Sequence, residues 1–79
     1  YAEREEMARA IESGIQTLPP NQRITLVLAD VQGFSYDEIA EATDAPLGTV
    51  KSRLARARAK LRDYLRERAE LLPGQYRLK

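Results

Sequence analysis

The sequence predicts an all-α domain of four helices containing a helix-turn-helix, with a long C-terminal recognition helix. Three observations predict it. Prolines and glycines cut the chain into segments whose apolar residues recur at helical spacings. β-Branched and polar residues nowhere alternate over more than a few positions, so no strand pattern competes. The 79 residues also set a ceiling, because a chain of this size holds one small core and no second module.

The first helix runs from about Glu3 to Thr17, with Met7, Ile11, Ile15 and Leu18 on one stripe. Pro19-Pro20 ends it, since a residue before proline is pushed out of the α region. Pro20 then suits the first turn of the second helix, where its missing N–H costs nothing. That helix extends to about Gln32, and Ile24, Val27, Leu28 and Val31 form its expected buried stripe. Leu26 is left without an obvious partner inside the chain. Gly33 suits the left-handed residue that closes a helix.

The third helix carries the clearest local signature. Ser35-Tyr36-Asp37-Glu38 has the form of a capping box, and Phe34 and Ile39 have hydrophobic-staple spacing. It ends near Thr43, and Asp44-Ala45-Pro46 forms the turn. The fourth helix starts near Pro46 and extends to about Leu71. Leu47, Val50, Leu54, Ala57, Leu61 and Leu65 fall on one side, with Thr49, Ser52, Ala55, Arg56 and Ala59 opposite. Residues 1–72 are expected to form the domain, with 73–79 a flexible tail after the break at Pro73-Gly74.

A net charge of +1 conceals a steep polarity along the chain. Residues 1–45 sum to −6, and residues 46–79 to +7. Lys51, Arg53, Arg56, Arg58, Lys60 and Arg62 lie within twelve residues of the fourth helix without an intervening acid. A basic helix is often only a solvated face. Here it is the second helix of a helix-turn-helix in an otherwise acidic chain, which points to an anionic partner. Docking in a major groove needs small or hydrogen-bonding residues at the leading face, and Gly48, Thr49, Ser52 and Ala55 provide them. Lys51 and Arg56 have the chemistry to reach guanine O6 and N7, with flanking cations on phosphates. For Arg53 and Arg58, beside the apolar stripe, snorkelling or pairing with an acid such as Glu38 or Glu41 is the stronger alternative.

The absence of histidine and cysteine excludes disulfides, thiol chemistry, the usual zinc sites and histidine-dependent acid–base mechanisms. It also fits a reducing cytoplasm. No apolar run is long enough for a membrane span. Adjacent Asp37 and Glu38 point about 100° apart on a helix and do not form an acid pair. Gly14, Gly33, Gly48 and Gly74 are isolated and build no phosphate loop. No enzyme, cofactor or metal site is expected. Tyr1 at the start and a lone Met7 suggest a piece of a longer protein.

Taken together, Leu18-Pro19, Arg23, Gly33-Phe34-Ser35-Tyr36-Asp37-Glu38-Ile39-Ala40, Gly48-Thr49-Val50-Lys51-Ser52-Arg53-Leu54, Arg56-Ala57-Arg58 and Leu61-Arg62 closely resemble region 4 of bacterial sigma factors. The match is best to the extracytoplasmic-function group of the sigma-70 family and covers about residues 5 to 65. The resemblance implies a transcription initiation role, in which the last helix enters the major groove of the -35 promoter element. It also implies docking on the β flap of RNA polymerase and, in many members, capture by an anti-sigma factor. Carried over by position, Lys51, Ser52, Ala55 and Arg56 would face bases. Ser35, Tyr36, Thr49 and Arg53 would lie nearer phosphates, with Arg58 and Arg62 as further cations of the same helix. The family often has a larger residue where Ala55 stands, so the promoter sequence stays open. Leu26, Tyr64 and Leu65, together with Leu71-Leu72, are candidate apolar contacts for a protein partner.

Two alternatives belong to other classes. The output domain of a LuxR-type response regulator shares the four-helix plan and a similar Gly-Thr-Val-Lys, but continues differently and dimerises on a palindromic site. A protein-docking module bound by an anti-sigma factor would need no DNA contact of its own.

Overall fold

The computed structural model describes residues 2–68, which fold as helices in the expected order. The helices are α1 (Ala2–Gln16), α2 (Pro20–Leu26), α3 (Tyr36–Thr43) and α4 (Leu47–Arg68). Between α2 and α3 lies a π-helical segment, Val27–Val31, that continues directly from α2. The expected tail at 73–79, Leu71-Leu72 and the 1–72 domain boundary lie outside the described residues.

Each junction follows from its residues. At the end of α1, Thr17 N–H and Leu18 N–H donate to the carbonyls of Gly14 and Ile15 at 3.1 Å, which tightens the last turn. Arg23 reaches back across the junction, and its Nη2 donates to the Leu18 carbonyl at 2.9 Å. Its charge thereby satisfies a carbonyl at the negative end of α1. Pro19 is extended (φ −56°, ψ 149°) and Pro20 opens α2. Gly33 takes φ 73°, as a left-handed closing residue must.

α3 is bounded by its own side chains. Ser35 Oγ accepts from Glu38 N–H at 3.1 Å, and Ser35 N–H donates to Glu38 Oε1 at 2.8 Å. The capping box is therefore closed on both arms. At the other end Asp44 sits left-handed at φ 51°, ψ 49°, and Ala45 N–H donates to the Ala40 carbonyl at 3.0 Å. That is a Schellman-type closure built on aspartate rather than glycine.

The core forms where α1 and α2 lie against α4. Leu18, Leu26, Leu54 and Ala57 make one buried cluster, with Ile15, Ala29 and Leu61 packed against it. Ile39 of α3 and Val50 of α4 are also fully buried. Each large apolar side chain buried this way contributes about 1.5–3 kcal/mol. α1 approaches α4 closely at Gly14, where an added Cβ would stand 2.6 Å from Leu61 Cδ1 and 2.8 Å from Tyr64 Cδ1.

α2 corrects the sequence reading. Its buried residues are Thr25 and Leu26, while Ile24 is 51% and Val31 66% exposed. Leu26 joins the cluster with Leu54 and Ala57 of α4, and the small Ala29 side chain packs against it, while Val27 and Leu28 of the expected stripe are half-buried. The buried Thr25 hydroxyl is satisfied by the Asn21 carbonyl at 2.7 Å. Leu26, expected to be free for a partner, is a core residue at 2% exposure.

Candidate nucleic-acid interface

The apolar stripe of α4 fixes what the helix can present outward. Val50, Leu54 and Ala57 are buried, with Leu61 and Leu65 half-buried further along. Leu47, at the start of the same stripe, is exposed. With that side anchored, Gly48, Lys51, Ser52, Ala55, Arg56 and Arg62 are all exposed. Thr49 and Arg53 are half-buried at the edge of the packed side. α4 has no acid in its first turn, and the first one along it is Asp63. The outer surface therefore combines small and hydroxyl side chains with cations, which suits close approach to a polyanion.

Ser35 and Tyr36 stand at the N-terminus of α3 and are both exposed. The Ser35 hydroxyl accepts from Glu38 N–H, so its capping role is already filled. Hydrogen bonding to Ser35 holds the Glu38 carboxyl below its ordinary range, and the group stays ionised at neutral pH.

Arg58 departs most clearly from the expected pattern. Its guanidinium grips Asp30 of the π-helical segment in a two-pronged ion pair, with Nε donating to Oδ2 at 2.9 Å and Nη2 to Oδ1 at 2.6 Å. The sequence reading placed Arg58 among the DNA-binding cations, with snorkelling or pairing to an acid such as Glu38 or Glu41 as the alternative. The actual partner lies 28 residues away, beyond local reading. The hydrogen bond to Arg58 holds the Asp30 carboxyl below its ordinary 3.8, with burial opposing and the Arg58 charge assisting. The same bond raises the Arg58 pKa, with a smaller contribution from Tyr36.

The other expected contacts are mixed. Arg62 lies 3.8 Å from its exposed neighbour Asp63, a weak surface pair. Tyr64 and Leu65 are half-buried. Tyr64 faces α1 at Gly14, and the Arg68 guanidinium lies 4.9 Å from its ring centre. The exposed apolar residues that the sequence reading assigned to the interior are Ile11, Ile24, Val31 and Leu47. Phe34 and Tyr36 are large hydrophobic residues with about as much exposure as Ile11 and Leu47. No helix among the described residues is long and apolar enough to cross a membrane.

A capped short helix, a tight turn and a long basic second helix define a helix-turn-helix domain of the DNA-binding kind. The family description "Sigma-70, region 4" matches residues 8–61. The chain belongs to the sigma-70 region 4 family, whose members are sigma-factor DNA-binding domains rather than enzymes. Over 55 residues it is 46% identical to the ECF RNA polymerase sigma factor SigE of Mycolicibacterium smegmatis, covering 70% of this chain and 21% of that protein. Over 54 residues it is 43% identical to the ECF RNA polymerase sigma-E factor of Escherichia coli strain K12, covering 68% of this chain and 28% of that protein. The sigma-E factor of Salmonella typhimurium strain LT2 matches to the same extent. The chain thus spans about a quarter of the length of the curated relatives it matches.

Proposed function

We propose that this domain reads the -35 promoter element as part of a transcription initiation factor, with the exposed side of α4 in the major groove. The observation that carries this reading is that outer side. Lys51, Ser52, Ala55 and Arg56 stand exposed on a helix whose other side is locked into the core. In the proposed pose Lys51 and Arg56 donate to base edges, Ser52 hydrogen-bonds, and Ala55 lets the backbone approach. Ser35, Tyr36, Thr49, Arg53 and Arg62 border the bases and serve the phosphates. The relatives' names support polymerase as the partner, which sets the domain's work in the bacterial cytoplasm.

A module this small buries only about 600–1,000 Å² on DNA. With roughly five phosphate contacts, log K falls with log salt at a slope of about −4 to −5. The isolated domain therefore binds weakly at physiological salt, and tethering to polymerase supplies the remaining affinity. Docking on the polymerase β flap, or on an anti-sigma factor, is the protein-facing half of the proposal. The exposure of Ile24, Val31 and Phe34 favours it.

Fluorescence anisotropy against a duplex library at low salt tests the DNA half. The expected result is enrichment of one short non-palindromic element, relaxed by Arg56→Ala. Enrichment of a palindrome bound by a dimer would favour the response-regulator alternative. Nanomolar binding by the isolated domain at physiological salt would contradict the dependence on polymerase.

A further inference from the structure

The ion pair between Asp30 and Arg58 lies on the edge of the proposed DNA-binding helix, and the role inferred for it rests on that assignment. Arg58 belongs to the cationic run of α4 and has 51% of its side chain exposed; that of Asp30 is 38% exposed. The pair is therefore open to a competing anion. Both prongs of one guanidinium edge are occupied by a single carboxylate. That edge offers the fork geometry by which arginine takes a phosphate, so carboxylate and phosphate compete for the same donors. Among the described residues, no other cation of the run pairs with an acid on another helix, and Arg62 reaches only its neighbour Asp63. An exposed pair of this kind adds little to stability, so stability alone is a weak reason to place an acid beside a DNA-facing helix.

We propose that Asp30 withholds Arg58 from the DNA phosphates and so trims sequence-independent affinity, leaving a larger share of binding to the base-facing side chains. Asp30 is a positioning residue that acts through Arg58. A guanidinium already neutralised by a carboxylate displaces no condensed counterion from DNA, so it is missing from the salt dependence of binding. Losing the carboxylate returns it.

The test is a double-mutant cycle on the 79-residue chain, using a labelled duplex of arbitrary sequence over a salt series. Circular dichroism of each variant confirms the fold. Asp30→Asn is expected to tighten binding on the order of fivefold near 0.1 M salt and to steepen the log–log slope by about 0.9. Arg58→Gln alone leaves Asp30 unpaired beside the DNA, so it weakens binding slightly and flattens the slope by much less than about 0.9. In an Arg58→Gln background, Asp30→Asn only relieves that repulsion, and its gain is clearly smaller than in the presence of Arg58. Asp30→Glu, which keeps the carboxylate, retains the slope of the unaltered protein.

Two results would overturn the inference while leaving the DNA-binding reading intact. In one, Arg58→Gln alone flattens the slope by about 0.9, which would mean that Arg58 already sits on a phosphate. In the other, the Asp30→Asn gain is undiminished without Arg58, which would mean that it is relief of charge repulsion alone. Failure of the unaltered chain to bind any duplex at low salt would instead overturn the DNA-binding reading and the inference with it.

Discussion

α2 and α3 are both short, of seven and eight residues, and they are held in opposite ways. α3 closes its own ends, with Ser35 and Glu38 at the start and a left-handed Asp44 at the finish. α2 has no side-chain cap and runs into π-helical turns. What holds α2 is its neighbour, since among the described residues its contact with α4 is more extensive than that of α1 or α3 with the same helix. Helices this short are marginal alone, so each needs a stabiliser, and the two use different ones. The difference decides how each responds to substitution.

The largest effect should come from the packed side of α2. Leu26→Ala is expected to destabilise the domain by about 2–5 kcal/mol, whereas Val31→Ser should stay within about 0.5 kcal/mol. Urea denaturation of the two variants checks this, and equal losses would mean that α2 is held by some other face. Next comes the cap. Ser35→Ala should cost about 1 kcal/mol, with hydrogen-exchange protection lost first in α3.

A smaller effect concerns acid. Asp30 and Glu38 both have folded pKa values below their ordinary ones. Their contribution to stability is therefore complete at neutral pH and is lost as pH falls below about 4. Asp30→Asn should remove part of this acid sensitivity, at a cost of no more than about 1 kcal/mol at pH 7. An acid titration followed by circular dichroism would show it as a shallower loss of stability. The smallest effect is a gain. Asp44→Gly frees a left-handed position from its Cβ and should raise stability by several tenths of a kcal/mol, up to about 1. Thermal denaturation of that variant beside the unaltered chain checks it.

The same contrast explains what was legible in the sequence. The α3 capping box and the α4 stripe at Val50, Leu54 and Ala57 are encoded by residues a few positions apart, and both formed as expected. The family pattern was legible for a related reason, since its densest motifs lie along α3, the turn and α4. The buried face of α2 was not legible. Hydropathy favours Ile24, Val27, Leu28 and Val31, yet Ile24 and Val31 are exposed and Val27 and Leu28 half-buried, whereas Thr25 and Leu26 are buried. Thr25 becomes buriable because Asn21 satisfies its hydroxyl. Which side of the helix is covered depends on the elements packed against it, which local periodicity does not contain. Asp30 was illegible as the partner of Arg58 for the same reason, because the two are 28 residues apart.

The π-helical segment has a consequence for how the chain tolerates insertion and deletion. The bond from Gln32 N–H to the Val27 carbonyl, at 3.0 Å, spans five residues rather than four. A π turn of this kind is what remains when one residue is added to an α-helix whose two ends are fixed. Val27–Val31 is therefore the place where chain length can change by one while the cap at Ser35 and the packing of Leu26 both stay in register. Removing one residue there would return the segment to ordinary α-helical turns and carry Asp30 out of line with Arg58. The same deletion within α3 or α4 would rotate every following side chain by about 100° and bury the wrong ones.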